Sequence, residues 1–492
     1  MRKIFASTSI MGISTLVSLF VGIVRSKVMA ILLAPAGVGI VSQAFSFLTT
    51  ASTVASLGLG VGVAKFIPLY EQEKKSTLIK QIVVISFILH IAISLFWIML
   101  IVIFPERLSF MIFSTPIYAN LLIFVALAIP CATLIYFISA VFVSLGKIKV
   151  FTLSRVWGYL IGLMPMLILI YYWRVRGGFI QIFLAAFVGF IFALYYFLKV
   201  IPKEFYLPKN VHELSGIFPL GRKIFKYGLA MLATTALSSL SILVIRSVII
   251  HRMGSDANGY YHVLISFSAY YLPFFTNALW GHFYPRINST NSPVEVSSEL
   301  NNTVRFLSIG ITLCIVVLLI LKRYLVLLVF SNKFLHATPY MESQFIGDFF
   351  SLFSITFGCL ILAKGKIRIY FLNALFTSIV FISLSLLMFK YFAIFAVTLS
   401  YMIAQLMSTL FLYVYNNKRL KLCLSETTLR SILSSLILLS VAVLLPNEGK
   451  SFYFKLLALV LWFLVILKRA EQEAMIGLIK EKFNFASYRS VE

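Results

Sequence analysis

Residues 79–104 read IKQIVVISFILHIAISLFWIMLIVIF, and after Lys80 no Asp, Glu, Lys or Arg appears until Glu106. A helix rises 1.5 Å per residue, so about 20 apolar residues cross a hydrocarbon core of about 30 Å. This stretch is long enough to do so. Lys74, Lys75 and Lys80 mark one end, and Glu106 and Arg107 the other. The same signature recurs along all 492 residues, of which 61% are hydrophobic and only 12% charged, with a mean hydropathy of +1.00. Soluble domains are about 45–50% apolar and about 25% charged, so an ordinary soluble enzyme is excluded. Breaks at Pro, Gly and charge clusters divide the chain into fourteen candidate spans, near 4–33, 38–70, 79–104, 117–145, 150–173, 179–200, 220–252, 256–285, 299–321, 341–363, 368–389, 393–415, 429–445 and, after a 446–450 loop, 451–468, which predicts an all-α polytopic membrane protein.

Charge sets the expected orientation. The 42 Lys and Arg against 16 Asp and Glu give a net charge of +26, which in a soluble chain would point to nucleic acid. Here the basic residues collect in short loops and helix ends, including Lys74, Lys75, Lys203, Lys209, Lys223, Lys364, Lys366, Lys418, Arg419 and Lys421. The positive-inside bias then places both termini in the cytoplasm, and no nucleic-acid partner is implied. Arg2 and Lys3 precede an apolar run that continues past Val24 without a small-residue cleavage site, so the run is expected to be an uncleaved first helix. Cys131, Cys314, Cys359 and Cys423 are isolated, which supports neither a metal site nor a disulfide framework. No P-loop, HExxH or GxSxG motif occurs, so no metal, cofactor or catalytic residue is assigned, and uphill transport would have to draw on an ion gradient or product removal.

An internal repeat organises the spans. Residues 22–28 read Gly-Ile-Val-Arg-Ser-Lys-Val and residues 243–248 read Leu-Val-Ile-Arg-Ser-Val, so Arg25 and Arg246 take matching places in spans one and seven. Six spans fall in each half. The expected organisation is two pseudo-symmetric six-helix lobes, 1–210 and 211–420, a C-terminal helix pair at 421–468 and a cytoplasmic amphipathic tail at 469–492. Two-lobed repeats are a common plan for carriers that hold a site between halves and rock around it.

Polar residues form stripes on these helices. In span one, Ser7, Ser14, Ser18, Gly22 and Arg25 follow steps of three, four or seven, which confines them to one face. Ser42, Ser46, Thr49, Thr53 and Ser56 repeat the design in span two, as do Thr235, Ser239 and Arg246 in span seven. Close helix packing and a lined cavity both produce such stripes. Ionisable residues are more telling, because a charge at the bilayer centre costs at least about 2.5–3.5 kcal/mol and normally faces a cavity or a partner. Arg25, Lys27, Arg246 and Asp348 fall within apolar blocks. Cations outnumber the single carboxylate, so an interior there would be net positive and suit a phosphate or pyrophosphate. Snorkelling to the interface is the other reading for Arg25 and Lys27. For Asp348 the sequence leaves open a structural partner for Arg and a coupling carboxylate. His90, His262 and His282 read as hydrogen-bonded packing residues.

Two stretches resemble the Wzx-type flippases of the multidrug/oligosaccharidyl-lipid/polysaccharide exporter superfamily, the O-antigen and enterobacterial common antigen translocases. One is Gly-Ile-Val-Arg-Ser-Lys-Val-Met-Ala at 22–30 followed by Pro-Ala-Gly-Val-Gly at 35–39. The other runs from Val-Phe-Ser-Asn-Lys-Phe at 329–334 through Gln344-Phe-Ile-Gly-Asp348 to Leu-Ala-Lys364-Gly-Lys-Ile-Arg368-Ile-Tyr. The Gly-x-x-Arg setting of Arg25 and the two added C-terminal spans are similar to the MurJ-type lipid II flippases. The resemblance implies movement of an undecaprenyl-pyrophosphate-linked oligosaccharide from the cytoplasmic to the periplasmic leaflet of a bacterial inner membrane. Lys27, Arg246, Lys364 and Arg368 are the implied cationic substrate contacts beside Arg25, with Asp348 as coupling group or charge partner. Ser14, Ser18, Ser46, Thr49, Thr53, Thr235 and Ser239 are the polar lining expected from the stripes. The implied partners are membrane lipids, H⁺ or Na⁺, a polysaccharide polymerase and a chain-length regulator. The alternatives are a lipid II-type flippase, a MATE-like antiporter, disfavoured by its need for acidic residues, and a polysaccharide polymerase or ligase, disfavoured by the absence of a large loop.

Overall fold

The computed structural model describes residues 2–206, 217–290, 292–445, 454–455 and 457–462, with side-chain surroundings from Thr15 onward. Among the described residues every regular element is helical and none is a strand. Lipid supplies no hydrogen bonds to backbone amides, so apolar spans of this length satisfy them internally as helices. The principal helices are α1 (Arg2–Ala55), α2 (Leu59–Gln72), α3 (Ser76–Ile103), α4 (Pro105–Phe113), α5 (Leu122–Ser144), α6 (Ile148–Val200) and α7 (Ile217–Met253). They continue with α8 (Ser255–Ala278), α9 (Tyr284–Ser289), α10 (Pro293–Val329), α11 (Met341–Ala363), α12 (Ile367–Leu420) and α13 (Glu426–Leu444).

Three of these are too long for one crossing. At 1.5 Å per residue the 53 or 54 residues of α1, α6 and α12 would reach roughly 80 Å, well beyond a bilayer core. Each is broken near its middle by one residue with positive φ: Ala34 (57°), Arg174 (48°) and Ala393 (50°). Ala34 precedes Pro35, whose ring drives the preceding residue out of the helical region. Nine described helices are long and apolar enough to cross a membrane, and three of those are these kinked pairs. Adding α8, which is more polar, gives a helical counterpart to each of the first thirteen expected spans. The protein is an all-helical, multi-pass membrane protein. The fourteenth span at 451–468, the 446–450 loop and the 469–492 tail lie wholly or mostly outside the described residues.

The structure departs from the expected spans in two places. The block expected to run from 38 to 70 breaks at Leu57 and Gly58, both left-handed, so that α2 is a separate helix. The span expected at 256–285 ends its α-helical part at Ala278 and passes through a π-helical turn, Leu279–Phe283.

The irregularities recur in a near-constant register between the two halves of the chain. Gly146 (φ 65°) and Gly365 (φ 71°) make the turns before α6 and α12. The alignment that sets Gly146 on Gly365 also sets the kink residue Arg174 on the kink residue Ala393. Ala34 and Gly254, both of positive φ, keep the same separation to within a single position, and Arg25 and Arg246 keep it to within two.

By compactness the chain forms two units, residues 1–277 with 323–412, and residues 278–322 with 413–492. In the first, Leu59, Val63, Phe66 and Ile67 of α2 pack with Phe137, Ile138 and Phe142 of α5 and with Ile224 of α7 in a fully apolar core. In the second, the Ser425 amide donates to Asn301 Oδ1 (2.7 Å), and Ser308 and Ser431 share a hydroxyl bond of 2.7 Å that joins α10 to α13.

Candidate functional site

The first unit contains a partly open cavity of about 340 Å³. Its walls are the two halves of α1 (Val21, Arg25, Phe45, Thr49, Ser52), α5 (Tyr136, Ser139) and the two arms of α6 (Arg155, Tyr159, Gln181). Glycine and alanine shape it. A Cβ on Gly158 would stand 3.1 Å from Cα of Gly189, and one on Gly162 would stand 3.4 Å from Cα of Ala185, so the arms of α6 approach closely through small residues. Arg155 and Tyr159, one helical turn apart, share a face beside those glycines.

Two guanidinium groups face this space, and no Asp or Glu is among the described residues lining it. Arg155 donates through Nη2 to the Tyr159 hydroxyl at 2.5 Å and through Nε at 3.2 Å. Arg25 lies over the Phe45 ring, 4.9 Å from its centroid. Such stacking holds a cation in apolar surroundings without consuming its hydrogen-bond donors. The donors of Arg25 therefore remain available to a ligand. Aromatic faces at Tyr136, Tyr159 and Phe45 complete a site suited to an anion attached to rings.

Arg246 does not line this cavity. It is 3% exposed on α7, and its Nη1 donates to Ser42 Oγ (2.9 Å) and Asn258 Oδ1 (3.4 Å). Its Nη2 lies 3.4 Å from His262 Nδ1, while its Nε has no hydrogen-bond partner among the described residues. Asn258 Nδ2 in turn donates to the Gly39 carbonyl at 2.7 Å, and Gln43 Nε2 donates to Ser247 Oγ at 2.8 Å. Arg246 is thus the centre of a polar seam joining the second half of α1 to α7 and α8.

Asp348 on α11 is completely buried, and no guanidinium among the described residues bonds to it. Its Oδ2 accepts from Ser268 Oγ (2.6 Å) and the Tyr271 hydroxyl (2.5 Å). Its Oδ1 accepts from the Tyr401 hydroxyl (3.0 Å) and Gln344 Nε2 (3.5 Å). Three helices, α8, α11 and α12, therefore build a cage of neutral donors around one carboxylate.

The remaining expected residues are scattered. Lys27 Nζ donates to the Leu327 carbonyl at 2.7 Å, near the end of α10. Lys364 and Arg368 sit at the turn between α11 and α12, half-buried and exposed respectively. Of the hydroxyl residues, Thr49 lines the cavity while donating to the Phe45 carbonyl at 2.9 Å. Ser18, Ser46, Thr53, Thr235 and Ser239 donate to carbonyls three or four residues back in their own helices. That bond satisfies a hydroxyl inside an apolar span. The side chain of Ser14 lies outside the described residues. Arg155, Tyr159, Tyr136 and Gln181 are not among the residues that the sequence reading singles out. The signal for Arg155 is present, since it is a further cation inside an apolar block.

Comparison with known proteins adds family and fold. Residues 4–289 match the model of a family described as polysaccharide biosynthesis protein. Two curated relatives, each named lipid III flippase, come from Escherichia coli (strain K12) and Shigella flexneri. Each is 24% identical over 365 residues, covering 73% of this chain and 85% of the relative. Among solved structures, an inward closed conformation of the lipid II flippase MurJ superposes with a TM-score of 0.69 at 18% identity, covering 92% of this chain and 97% of that one. An inward-facing MATE family multidrug transporter of the MOP superfamily gives 0.62 at 14% identity, covering 87% and 95%. At these identities the solved structures speak for a shared fold.

Proposed function

The chain belongs to the polysaccharide biosynthesis protein family, and from that premise we propose that it translocates an undecaprenyl-pyrophosphate-linked oligosaccharide, an O-antigen or related repeat unit. The direction is from the cytoplasmic to the periplasmic leaflet of a bacterial inner membrane, by alternating access, with both termini cytoplasmic. The observation that carries the reading is the cavity of about 340 Å³ into which Arg25 and Arg155 project with no described carboxylate beside them. A pyrophosphate and sugars cross hydrocarbon at great cost, whereas a polyprenyl tail does not. A carrier for such a lipid needs a cationic, aromatic interior for the head and can leave the tail in the bilayer. The lipid III flippase names of the two curated relatives support the same substrate class.

The residues take distinct parts in this proposal. Arg25 offers a fork of donors matched to phosphate oxygens, and Arg155 with Tyr159 and Tyr136 holds the sugar end. Arg246 joins the substrate contacts when the seam around it parts, since its Nε already lacks a partner among the described residues. Lys364 and Arg368 receive the headgroup at the cytoplasmic surface, and Lys27, two residues beyond Arg25 on a different face of α1, adds positive charge while bonded to the Leu327 carbonyl. Asp348 in its hydroxyl cage couples the cycle to H⁺ or Na⁺. No polymerisation chemistry is part of this mechanism.

The test is a reconstituted assay in which labelled lipid-linked oligosaccharide is offered on one leaflet and scored for both translocation and polymerisation. Translocation without chain extension is expected. Extension of the glycan, or no movement of any lipid-linked oligosaccharide, contradicts the proposal. Offering a lipid II-type substrate in the same vesicles separates that alternative.

A further inference from the structure

Helix α1 beyond its kink is clamped at both ends, and the cavity lies between the clamps. At one end, a Cβ on Gly39 would overlap the Ser255 carbonyl oxygen and stand 2.9 Å from the Gly259 amide. Reciprocally, a Cβ on Gly259 would overlap the Pro35 carbonyl. Gly39 and Gly259 stand in the same register as Ala34 and Gly254, so the crossing joins equivalent points of the repeat. At the other end, Gly58 and Gly228 meet in the same reciprocal manner: a Cβ on Gly58 would stand 2.5 Å from the Gly228 carbonyl oxygen, and one on Gly228 would overlap that of Gly58. Gly62 rests on Ile224, which is fully buried. The stretch from Gly39 to Gly58 corresponds to roughly 28 Å of helix, about the thickness of a bilayer core. Between them, Phe45, Leu48, Thr49 and Ser52 line the cavity.

We propose that these two backbone-to-backbone glycine crossings are the gates of the cavity, Gly39–Gly259 on the periplasmic side and Gly58–Gly228 on the cytoplasmic side. The inference rests on the transporter reading above and adds the control of access to its site. Both crossings are closed in this structure, and in the proposal the parting of one of them opens the cavity towards that side. Glycine is required because any Cβ holds the two backbones apart, and a gate so wedged stays open. The periplasmic gate is also latched by polar bonds, from Asn258 to the Gly39 carbonyl and from Arg246 to Ser42 Oγ, whereas beside the other Lys65 lies over the Tyr227 ring at 3.8 Å and Lys223 over the Phe66 ring at 4.9 Å.

Wedging each gate should therefore bias access in opposite directions. A single-cysteine reporter, Thr49→Cys, in the full chain with its four native cysteines replaced by Ala, is labelled from either side with a membrane-impermeant maleimide. Gly39→Ala should raise labelling from the periplasmic side, and Gly228→Ala from the cytoplasmic side, each by about fivefold, because overpacking a close contact costs on the order of 1 kcal/mol or more. Shifts in the same direction, or none, overturn the proposal. If a wedged variant fails to fold, the pair Gly62→Cys and Ile224→Cys decides. Oxidation should abolish translocation and reduction restore it, and unchanged translocation by the cross-linked protein counts against the gates. The labelling needs no substrate, so the gates can fail while translocation stands, and translocation can fail while the gates stand.

Discussion

The cavity around Arg25 and Arg155 and the cage around Asp348 occupy related parts of one repeated scaffold, yet their chemistry is opposite. Laying α11 and α12 over α5 and α6, in the register that sets Gly365 on Gly146, places Asp348 on Ile129, Gln344 on Val125 and Tyr401 on Ile182, all apolar and buried. The same register places Arg155 and Tyr159 opposite Ala374 and Ser378. Turns and kinks coincide, at Gly146 and Gly365 and at Arg174 and Ala393. One copy therefore holds cations around a void, and the other a buried carboxylate with both oxygens occupied. The scaffold is set by where the backbone must bend, and the chemistry by substitutions on helix faces that leave those bends alone.

The largest effect is expected on the cationic side. Arg25→Ala should reduce translocation by about 10- to 100-fold, the worth of a charge-assisted hydrogen bond of about 1.5–3 kcal/mol, with Arg25→Lys recovering only part. Measured initial rates in vesicles, normalised to protein amount, give the ratio. On the acidic side, Asp348→Asn should lower translocation by about tenfold with unchanged membrane levels, since the amide cannot accept from four donors and cannot carry an ion. If transport by Asp348→Asn responded to an imposed pH or Na⁺ gradient as the wild type does, the cage would be structural only. A smaller effect belongs to Tyr159→Phe, which keeps the ring but removes the acceptor that orients Arg155. A loss of about two- to fivefold is expected, in line with a hydrogen bond worth about 0.5–1 kcal/mol. Lys364→Ala should have the smallest effect, raising the substrate concentration needed for half-maximal transport while leaving the maximal rate within about twofold, as fits a surface cation.

Much of this fold is legible in the sequence. Blocks of more than twenty apolar residues announce their crossings, and Pro35 announces a break. The kinks at Arg174 and Ala393 carry no proline, yet each falls at a charge-marked break between expected spans, whereas the left-handed pair Leu57 and Gly58 interrupts a block expected to be continuous, so that bend is the hidden one. Arg25 is visible because its charge lies deep in an apolar stretch. Arg155, close behind Lys147 and Lys149, blends with the basic start of its helix and escapes notice. Partners are the least legible feature. Arg246 meets Ser42 across 204 residues, and Asp348 meets Tyr271 across 77, and helical periodicity speaks only of neighbours within a few turns.

In the proposed mechanism Arg25 holds the anionic head of the transported lipid and Arg155 its sugar end, both within one cavity. The double variant Arg25→Ala, Arg155→Ala, reconstituted at wild-type density with labelled lipid-linked oligosaccharide, tests it most directly. Translocation should fall to the level of protein-free vesicles while thermal stability in detergent stays close to that of the wild type. Translocation at the wild-type rate by the same double variant would contradict the account, and the arginines would then be interfacial anchors for their helices.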